Sequence, residues 1–162
     1  MPSTKTSDRS NSFLLDVNVL VALAWGNHLH HGAAHRWFER LEGEATWKTC
    51  AATQTAFLRI SCNSRITDHS VSPARAGRQL AEMTAHPRHA FLIDDVNWSR
   101  EAESLQKVHG HRQVHDLHLL LLAARNDSVV ATFDRGLGDL ALHLDQASTV
   151  ETIPSVRDDQ AH

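Results

Sequence analysis

Two short runs of consecutive apolar residues, each followed at once by an aspartate, constrain what this chain can fold into. SVVATF at 128–133 is a clear strand candidate, and FLL at 13–15 is a shorter one. Strands without polar alternation are buried on both faces, which is typical of parallel sheets covered by helices. Segments with helical spacing, such as 17–25 and 114–125, separate the strand candidates. We therefore expect an α/β fold with a central, mainly parallel sheet.

The rest of the chain continues the alternation of strands and helices. Further strands are predicted at 45–50, 90–93 and 148–153. Further helices are predicted at 31–41, 51–60, from Pro73 to about Ala85 with Ser72 as N-cap, and 97–108 with Asn97 as N-cap. Polar composition predicts a disordered lead-in over 1–11 and a frayed tail over 154–162. These bounds leave one domain, residues 12–153.

Composition and charge exclude several classes of protein. The formal net charge of −3 gives no overall basic field, so a nucleic acid would have to be bound through a local patch. The polar N-terminus lacks the apolar core of a signal peptide, and the apolar run 13–25 is too short to span a membrane. Cys50 and Cys62 have no metal-site spacing and indicate free thiols in a reducing compartment. We expect a cytoplasmic protein without a membrane partner.

Three aspartates are predicted to lie at one edge of the sheet. Asp16 directly follows the first strand, Asp134 directly follows 128–133, and Asp116 lies near the start of the helix 114–125. Ligands of parallel α/β sheets bind at the carboxyl ends of the strands, where these side chains can converge. Gln54, one turn into the helix 51–60, is expected at the same edge.

Carboxylates that share a cleft repel one another and stay ionised only if a cation compensates. Oxygen ligands favour hard cations such as Mg²⁺ or Mn²⁺, which suit phosphodiester hydrolysis. Asn18 and Thr132 are spaced to hold the Asp16 and Asp134 carboxylates or water bound to the metal. Each acid also has a plainer explanation: Asp16 as an N-cap, Asp116 as a partner of a helix dipole, and Asp134 as a turn residue in FDRGLG. Spacing alone does not decide between the two.

Four motifs, in order, resemble those of the PIN domain: FLLDVNVLVALAW, WKTCAATQTAFLRIS, GHRQVHDLHLLLLA and VVATFDRGL. The similarity is greatest to the VapC-type toxins of bacterial toxin–antitoxin pairs, and HPRHAFLIDDVNWS resembles a segment between their motifs. The resemblance implies a three-layer α/β/α fold and a Mg²⁺- or Mn²⁺-dependent endoribonuclease. It implies Asp16 and Asp116 as the primary metal ligands and Asp134 as a further ligand or a partner through water. The family's second acidic position falls on Gln54.

The resemblance also implies partners. These are an RNA substrate and a cognate antitoxin, in a homodimer or a toxin–antitoxin hetero-oligomer. Arg59 and Arg112 belong to motifs that flank the cleft and are the candidates for RNA binding. The apolar residues of the helices 31–41 and 51–60 are candidates for a groove that holds an antitoxin helix.

Two other classes of function remain open on the sequence. One is a PIN-like binding module that no longer cleaves, because Gln54 depletes the acidic site. The other is a metal-dependent phosphatase on a similar sheet.

Histidine pairs at spacing i, i+4, such as His31 with His35 and His111 with His115, can bind Zn²⁺ or Ni²⁺. With 13 histidines in the chain, chance pairing on solvated helix faces explains these pairs. His115 is singled out, because it neighbours Asp116 and is placed to contact an RNA phosphate.

Overall fold

The structure is a computed structural model that describes residues 11–41, 43–67 and 71–155. The predicted lead-in over 1–11 lies outside the described residues except for Asn11. The predicted tail over 154–162 lies outside them except for Pro154 and Ser155.

The described residues form a five-stranded sheet in which every pairing is parallel. Its strands are β1 (Ser12–Leu15), β2 (Thr46–Cys50), β3 (His89–Leu92), β4 (Val129–Thr132) and β5 (Val150–Thr152). Their order across the sheet is β3-β2-β1-β4-β5. The strands β2 and β3 are added on one side of β1, and β4 and β5 on the other. The predicted parallel sheet is confirmed, and β1 and β4 lie side by side at its centre.

Helices connect the strands. They are α1 (Val17–Ala24), α2 (His31–Glu39), α3 (Ala51–Ser61), α4 (Ser64–Thr67), α5 (Pro73–Thr84), α6 (Ala102–Leu105), α7 (His111–Arg125) and α8 (Arg135–His143). Single 3-10 turns occupy Trp98–Arg100 and Ala147–Thr149. Within the described part of the chain, no helix is both long enough and apolar enough to cross a membrane.

The sheet has a hydrophobic core on each face. Phe13 and Leu15 of β1 belong to one core, together with the side chain of Phe57 from α3. Leu14, between them in sequence, belongs to the other core, which contains Leu120 of α7. Because successive side chains of a strand point to opposite faces, the continuous FLL run fills both cores. The three-layer α/β/α architecture follows from this two-sided burial.

One predicted helix is wrong, and the helices α4 and α8 were not predicted. Instead of a helix at 97–108, Asn97 caps the short turn Trp98–Arg100, and the chain leaves helical geometry at Glu101 before α6. The guanidinium of Arg125 pairs with Glu101 and Asp95, so contacts with α7 shape this segment. The 128–153 region also contains α8, and the FDRGLG segment, whose composition also suits a turn, forms the start of this helix. The two cysteines are free, as predicted, although Cys62 is only partly buried.

Two glycines explain why α8 is hard to read from sequence. Glycine disfavours helices, and α8 contains Gly136 and Gly138. A Cβ at Gly138 would lie 3.0 Å from the hydroxyl of Thr152, so the glycine lets α8 approach β5 closely. Buried Leu137 and Leu140 then supply the packing that stabilises the helix.

Candidate active site

Asp16 lies where β1 ends and α1 begins, and its carboxylate is almost completely enclosed by hydrogen-bond donors. Its exposed fraction is 6%. Oδ1 accepts from the backbone N–H of Val17 at 2.7 Å, which caps α1. Oδ2 accepts from the Thr132 hydroxyl at 2.7 Å and from the Asn18 amide at 3.1 Å. These bonds fix the orientation of a carboxylate that burial would otherwise penalise.

Thr132 is the centre of this network. Its hydroxyl donates to Asp16 and accepts from the Asn18 amide at 3.1 Å and from the backbone N–H of Asp134 at 3.0 Å. One donor and two acceptor positions exhaust the capacity of a hydroxyl group. The Asn18 carbonyl in turn accepts from the backbone N–H of Phe133 at 3.2 Å. Asn18 therefore holds Asp16 as predicted, whereas Thr132 holds the side chain of Asp16 and only the backbone of Asp134.

Asp134 caps α8 at the end of β4. Its Oδ1 accepts from the backbone N–H of Gly136 at 2.8 Å, and the side chain is exposed. A Cβ at Gly136 would approach that oxygen to 3.1 Å, so a glycine suits the position. Asp16 and Asp134 are thus both helix caps. Capping and membership of an acidic site are compatible here, because each cap uses one carboxylate oxygen.

Asp116, on the second turn of α7, differs from the other two acids. It is half-buried, and within the described residues no hydrogen-bond donor contacts its carboxylate. Burial, reinforced by the negative charges of Asp134 and Asp16, raises the pKa of Asp116 to about 6. Burial also raises the pKa of Asp16, against the lowering effects of its bonds to Thr132 and Val17 and of nearby His115. The three acids therefore share one electrostatic site.

The chemistry of this site fits a hard divalent cation. Asp16 retains a lone pair on Oδ1, Asp134 has an oxygen that does not cap α8, and Asp116 has both oxygens available. Such an all-oxygen set suits Mg²⁺ or Mn²⁺. Among the described residues, no group of three or more His, Cys, Asp or Glu side chains is already arranged around a metal position.

Gln54 faces a different neighbour. Its amide donates to the hydroxyl of Thr49 in β2 at 2.9 Å, and that hydroxyl is also bonded to Nε2 of His89 at 2.9 Å. From the sequence, Gln54 is expected at the acidic edge of the sheet. Its backbone lies on the first turn of α3, directly after β2. Its side-chain amide is directed to β2.

Of the two predicted RNA-binding arginines, one lines a cavity that also contains the sequence neighbours of two acids. Arg59 and His115 line a cavity of about 470 Å³ that also includes Val17, the residue after Asp16. Arg112 is exposed on the first turn of α7 and is not among the residues that line this cavity. The structure thus brings Arg59 and His115 to the acidic edge and leaves Arg112 further out on the surface.

Histidines elsewhere have structural partners. His31 and His35 bond the carbonyls of Ala22 and Leu23 at 2.8 and 3.0 Å, so they satisfy the last turn of α1. Sequence reasoning missed His118, whose Nε2 lies 2.6 Å from the Asp94 carboxylate. The position of His118 inside the apolar run of α7 could have predicted its burial. A buried imidazole requires a hydrogen-bond partner, so this position also predicts one.

The fold and site together define a class: a parallel α/β/α domain with acids gathered where β1, β4 and α7 meet. The family model described as PIN domain matches residues 13–142. Among the relatives, Ribonuclease VapC39 of Mycobacterium tuberculosis is 45% identical over 129 residues, which cover 79% of this chain and 92% of the relative. Ribonuclease VapC38 is 41% identical over 128 residues, covering 79% and 89%, and Ribonuclease VapC29 is 34% identical over 139 residues, covering 86% and 96%, both from the same species. The chain belongs to the PIN domain family and is one of its VapC-type members.

Proposed function

We propose that this protein is an endoribonuclease that hydrolyses RNA phosphodiester bonds with Mg²⁺ or Mn²⁺ held by Asp16, Asp116 and Asp134. One observation carries the proposal: the half-buried Asp116 carboxylate has no hydrogen-bond donor among the described residues and has two negative neighbours. Two negative neighbours and partial burial oppose the ionised form of this carboxylate, and a bound cation would offset both effects. A cation satisfies all three acids at once, which makes the site suitable for an anionic phosphodiester.

The residues of the chain have separate roles in this proposal. A divalent ion, when bound, activates water and neutralises charge on the phosphate. Asp16 is the fixed ligand, because Thr132 and Asn18 hold its second oxygen. Asp116 and Asp134 would supply the remaining carboxylate oxygens to the ion. Arg59 supplies positive charge and His115 a ring nitrogen that can hydrogen-bond where the phosphates of the RNA approach.

The relatives favour this reading over its two rivals. VapC39, VapC38 and VapC29 are each named as ribonucleases, and the match to them covers at least 79% of this chain. That similarity favours RNA cleavage over a phosphatase. A binding module that has lost activity is disfavoured by Asp16 and Asp116, because both keep carboxylate oxygens that a hard cation can bind.

We also propose a cognate antitoxin as the protein partner, with residues 12–153 as the domain that it binds. An arginine fork can pair with two carboxylate oxygens and would block ion and RNA together. The predicted antitoxin groove on α2 has less support, because Ala34 and Trp37 pack into the chain's own core. Co-expression with the neighbouring reading frame should give a stable complex that does not cleave RNA. Separating the two proteins should restore cleavage.

The test of the proposed function is a cleavage assay with matched variants. Purified protein is incubated with structured RNA in Mg²⁺, in Mn²⁺ and in EDTA. We expect cleavage only with the ions, and none from Asp16→Asn or Asp116→Asn. Asp139→Asn, an exposed aspartate outside the cluster, serves as the control and should cleave like the wild type. Cleavage by either site variant at the wild-type rate would refute the metal assignment.

A further inference from the structure

The cavity that contains Arg59 includes in its lining the sequence neighbours of two of the three carboxylates. It measures about 470 Å³ and is lined by α3, by the first residue of α1 and by one residue of α7. Val17 follows Asp16 in the chain, and His115 precedes Asp116. His115 also acts on the charge of Asp16, so the cavity adjoins Asp16 and Asp116, and we expect a ligand that fills it to reach the acidic site.

The walls of this cavity have two chemistries. Its floor consists of small or aliphatic side chains, which are Val17, Ala51, Ala52, Ala56 and Ile60. Its polar lining residues are Thr55, Arg59 and His115, and no Asp or Glu of the described ranges lines it. An apolar surface next to a cation matches a nucleotide, whose base has apolar faces and whose phosphate is anionic.

We propose that this cavity holds one unstacked nucleobase next to the scissile phosphate, and that Arg59 binds the phosphate on the far side of that nucleotide. The inference rests on the proposed ribonuclease function and names the form of RNA that the site accepts. The volume is large enough for one base, and the exposed side chains of Ala51, Thr55, Arg59 and His115 leave the cavity open to solvent. A base stacked within a duplex cannot enter, so the site selects single-stranded or flipped-out nucleotides.

A nucleobase fits the cavity better than an antitoxin helix does. Helices dock into grooves through large apolar side chains spaced along one face. The large aromatic side chain of α3, Phe57, is fully buried in the core of this chain, and what remains toward the cavity is mainly alanine. A shallow alanine floor suits a flat ring, and Arg59 with His115 favours an anion over an apolar peptide.

Filling the cavity tests the inference. Ala56→Leu puts a larger side chain on the floor, and Ala51→Leu does so at an exposed position where folding is not at risk. The control is Ala85→Leu, also exposed, in a separate cavity of about 460 Å³ lined by Phe38 and Trp47. With a single-stranded RNA that contains a mapped cleavage site, we expect kcat/KM to fall about tenfold in the two test variants, mainly through KM, and to stay unchanged in the control.

Substrates with an abasic ribose make the test specific. Removing the base on one side of the scissile phosphate should slow the wild type about tenfold but should slow Ala51→Leu and Ala56→Leu no further, because their cavity is already filled. An abasic site can be placed on either side of the scissile phosphate. If, at both positions, base removal slows the leucine variants as much as it slows the wild type, the base does not occupy the cavity. Loss of antitoxin binding with unchanged RNA cleavage would assign the cavity to the protein partner and also overturn the inference.

A binding assay separates this inference from the function on which it rests. The Asp116→Asn protein is titrated in Mg²⁺ with fluorescent hexamers of each ribonucleotide and of abasic ribose phosphate. We expect tighter binding of base-bearing hexamers, and Ala51→Leu in the same background should abolish the difference. A preserved difference would refute the nucleobase site even if the wild type cleaves RNA. Wild-type protein that binds the hexamers in this way but cleaves no RNA would refute the proposed activity instead.

Discussion

The hydroxyl of Thr132 donates to Oδ2 of Asp16 at 2.7 Å, joining the ends of the two central strands across 116 positions of sequence. Asp16 is buried, so this bond offsets part of the cost of burying its charge. The same hydroxyl accepts from the backbone N–H of Asp134. One threonine thus sets the relative position of two of the three acids.

Thr132→Val should damage both stability and ion binding. Valine has nearly the same shape but cannot donate, so the pKa of Asp16 should rise further and the buried carboxylate should lose stabilisation. We expect unfolding free energy to fall by about 1–3 kcal/mol at pH 7 and Mn²⁺ affinity to fall with it. Thermal melts in EDTA and calorimetry with Mn²⁺ measure the two effects. Thr132→Ser keeps the hydroxyl and is the control. Equal Mn²⁺ affinity in wild type and Thr132→Val would show that this bond does not prepare the site.

The raised pKa of Asp116 predicts a pH-dependent stability in the absence of metal. A carboxyl group with a pKa of about 6 when folded and 3.8 as its ordinary value binds its proton more tightly in the native state. Stability therefore falls as pH rises between about 4 and 6, and the loss remains above that window. Asp116→Asn should remove this dependence and raise stability at pH 7 by roughly 1 kcal/mol, after allowance for solvent screening at a half-exposed site. Melts from pH 4 to 8 in EDTA test the slope, with Asp139→Asn as control. An unaltered slope in Asp116→Asn would mean that other groups produce it.

The convergence of the three acids was predictable because it depends on local patterns. A continuous apolar strand indicates a parallel sheet, and an aspartate directly after such a strand must lie at its carboxyl edge. Asp16 and Asp134 satisfy both conditions, and the structure joins them through Thr132. Their assignment as metal ligands is a separate matter and stays a prediction.

What sequence reasoning missed depends on contacts between distant segments. The helix α8 forms despite Gly136 and Gly138, because Leu137 and Leu140 are buried against the rest of the domain. The predicted helix at 97–108 breaks where Arg125 of α7 pairs with Glu101. The direction of the Gln54 amide toward Thr49 likewise depends on which strand lies beside α3. Tertiary packing of this kind overrides local propensity.

Gln54→Glu tests whether this position reaches the metal. In the structure the Gln54 amide donates to Thr49, and glutamate cannot donate in its ionised form. We expect calorimetry in the absence of RNA to give the same Mn²⁺ stoichiometry and affinity for Gln54→Glu as for the wild type. Gln54→Ala is the matched variant that removes the amide without adding charge. Tighter Mn²⁺ binding by Gln54→Glu alone would place the side chain in the metal shell and require it to rotate away from Thr49.

The pair formed by His118 and Asp94 predicts control of Asp116 from a distance. His118 is buried on α7, two residues after Asp116, and its Nε2 lies 2.6 Å from the Asp94 carboxylate, in the segment that follows β3. Asp94→Ala leaves a buried imidazole without its acceptor, so we expect a loss of about 1–3 kcal/mol in unfolding free energy. Because α7 carries Asp116, we also expect weaker Mn²⁺ binding and slower RNA cleavage.

Asp94→Asn separates positioning from charge, since an amide oxygen can still accept from Nε2 but brings no negative charge. If the hydrogen bond positions α7, Asp94→Asn should recover most of the stability and most of the Mn²⁺ affinity that Asp94→Ala loses. If both variants lose them equally, the charge of Asp94 matters more than its geometry. If Asp94→Ala melts and binds Mn²⁺ like the wild type, the segment after β3 does not hold α7, and Asp116 is positioned by the packing of α7 against the sheet alone.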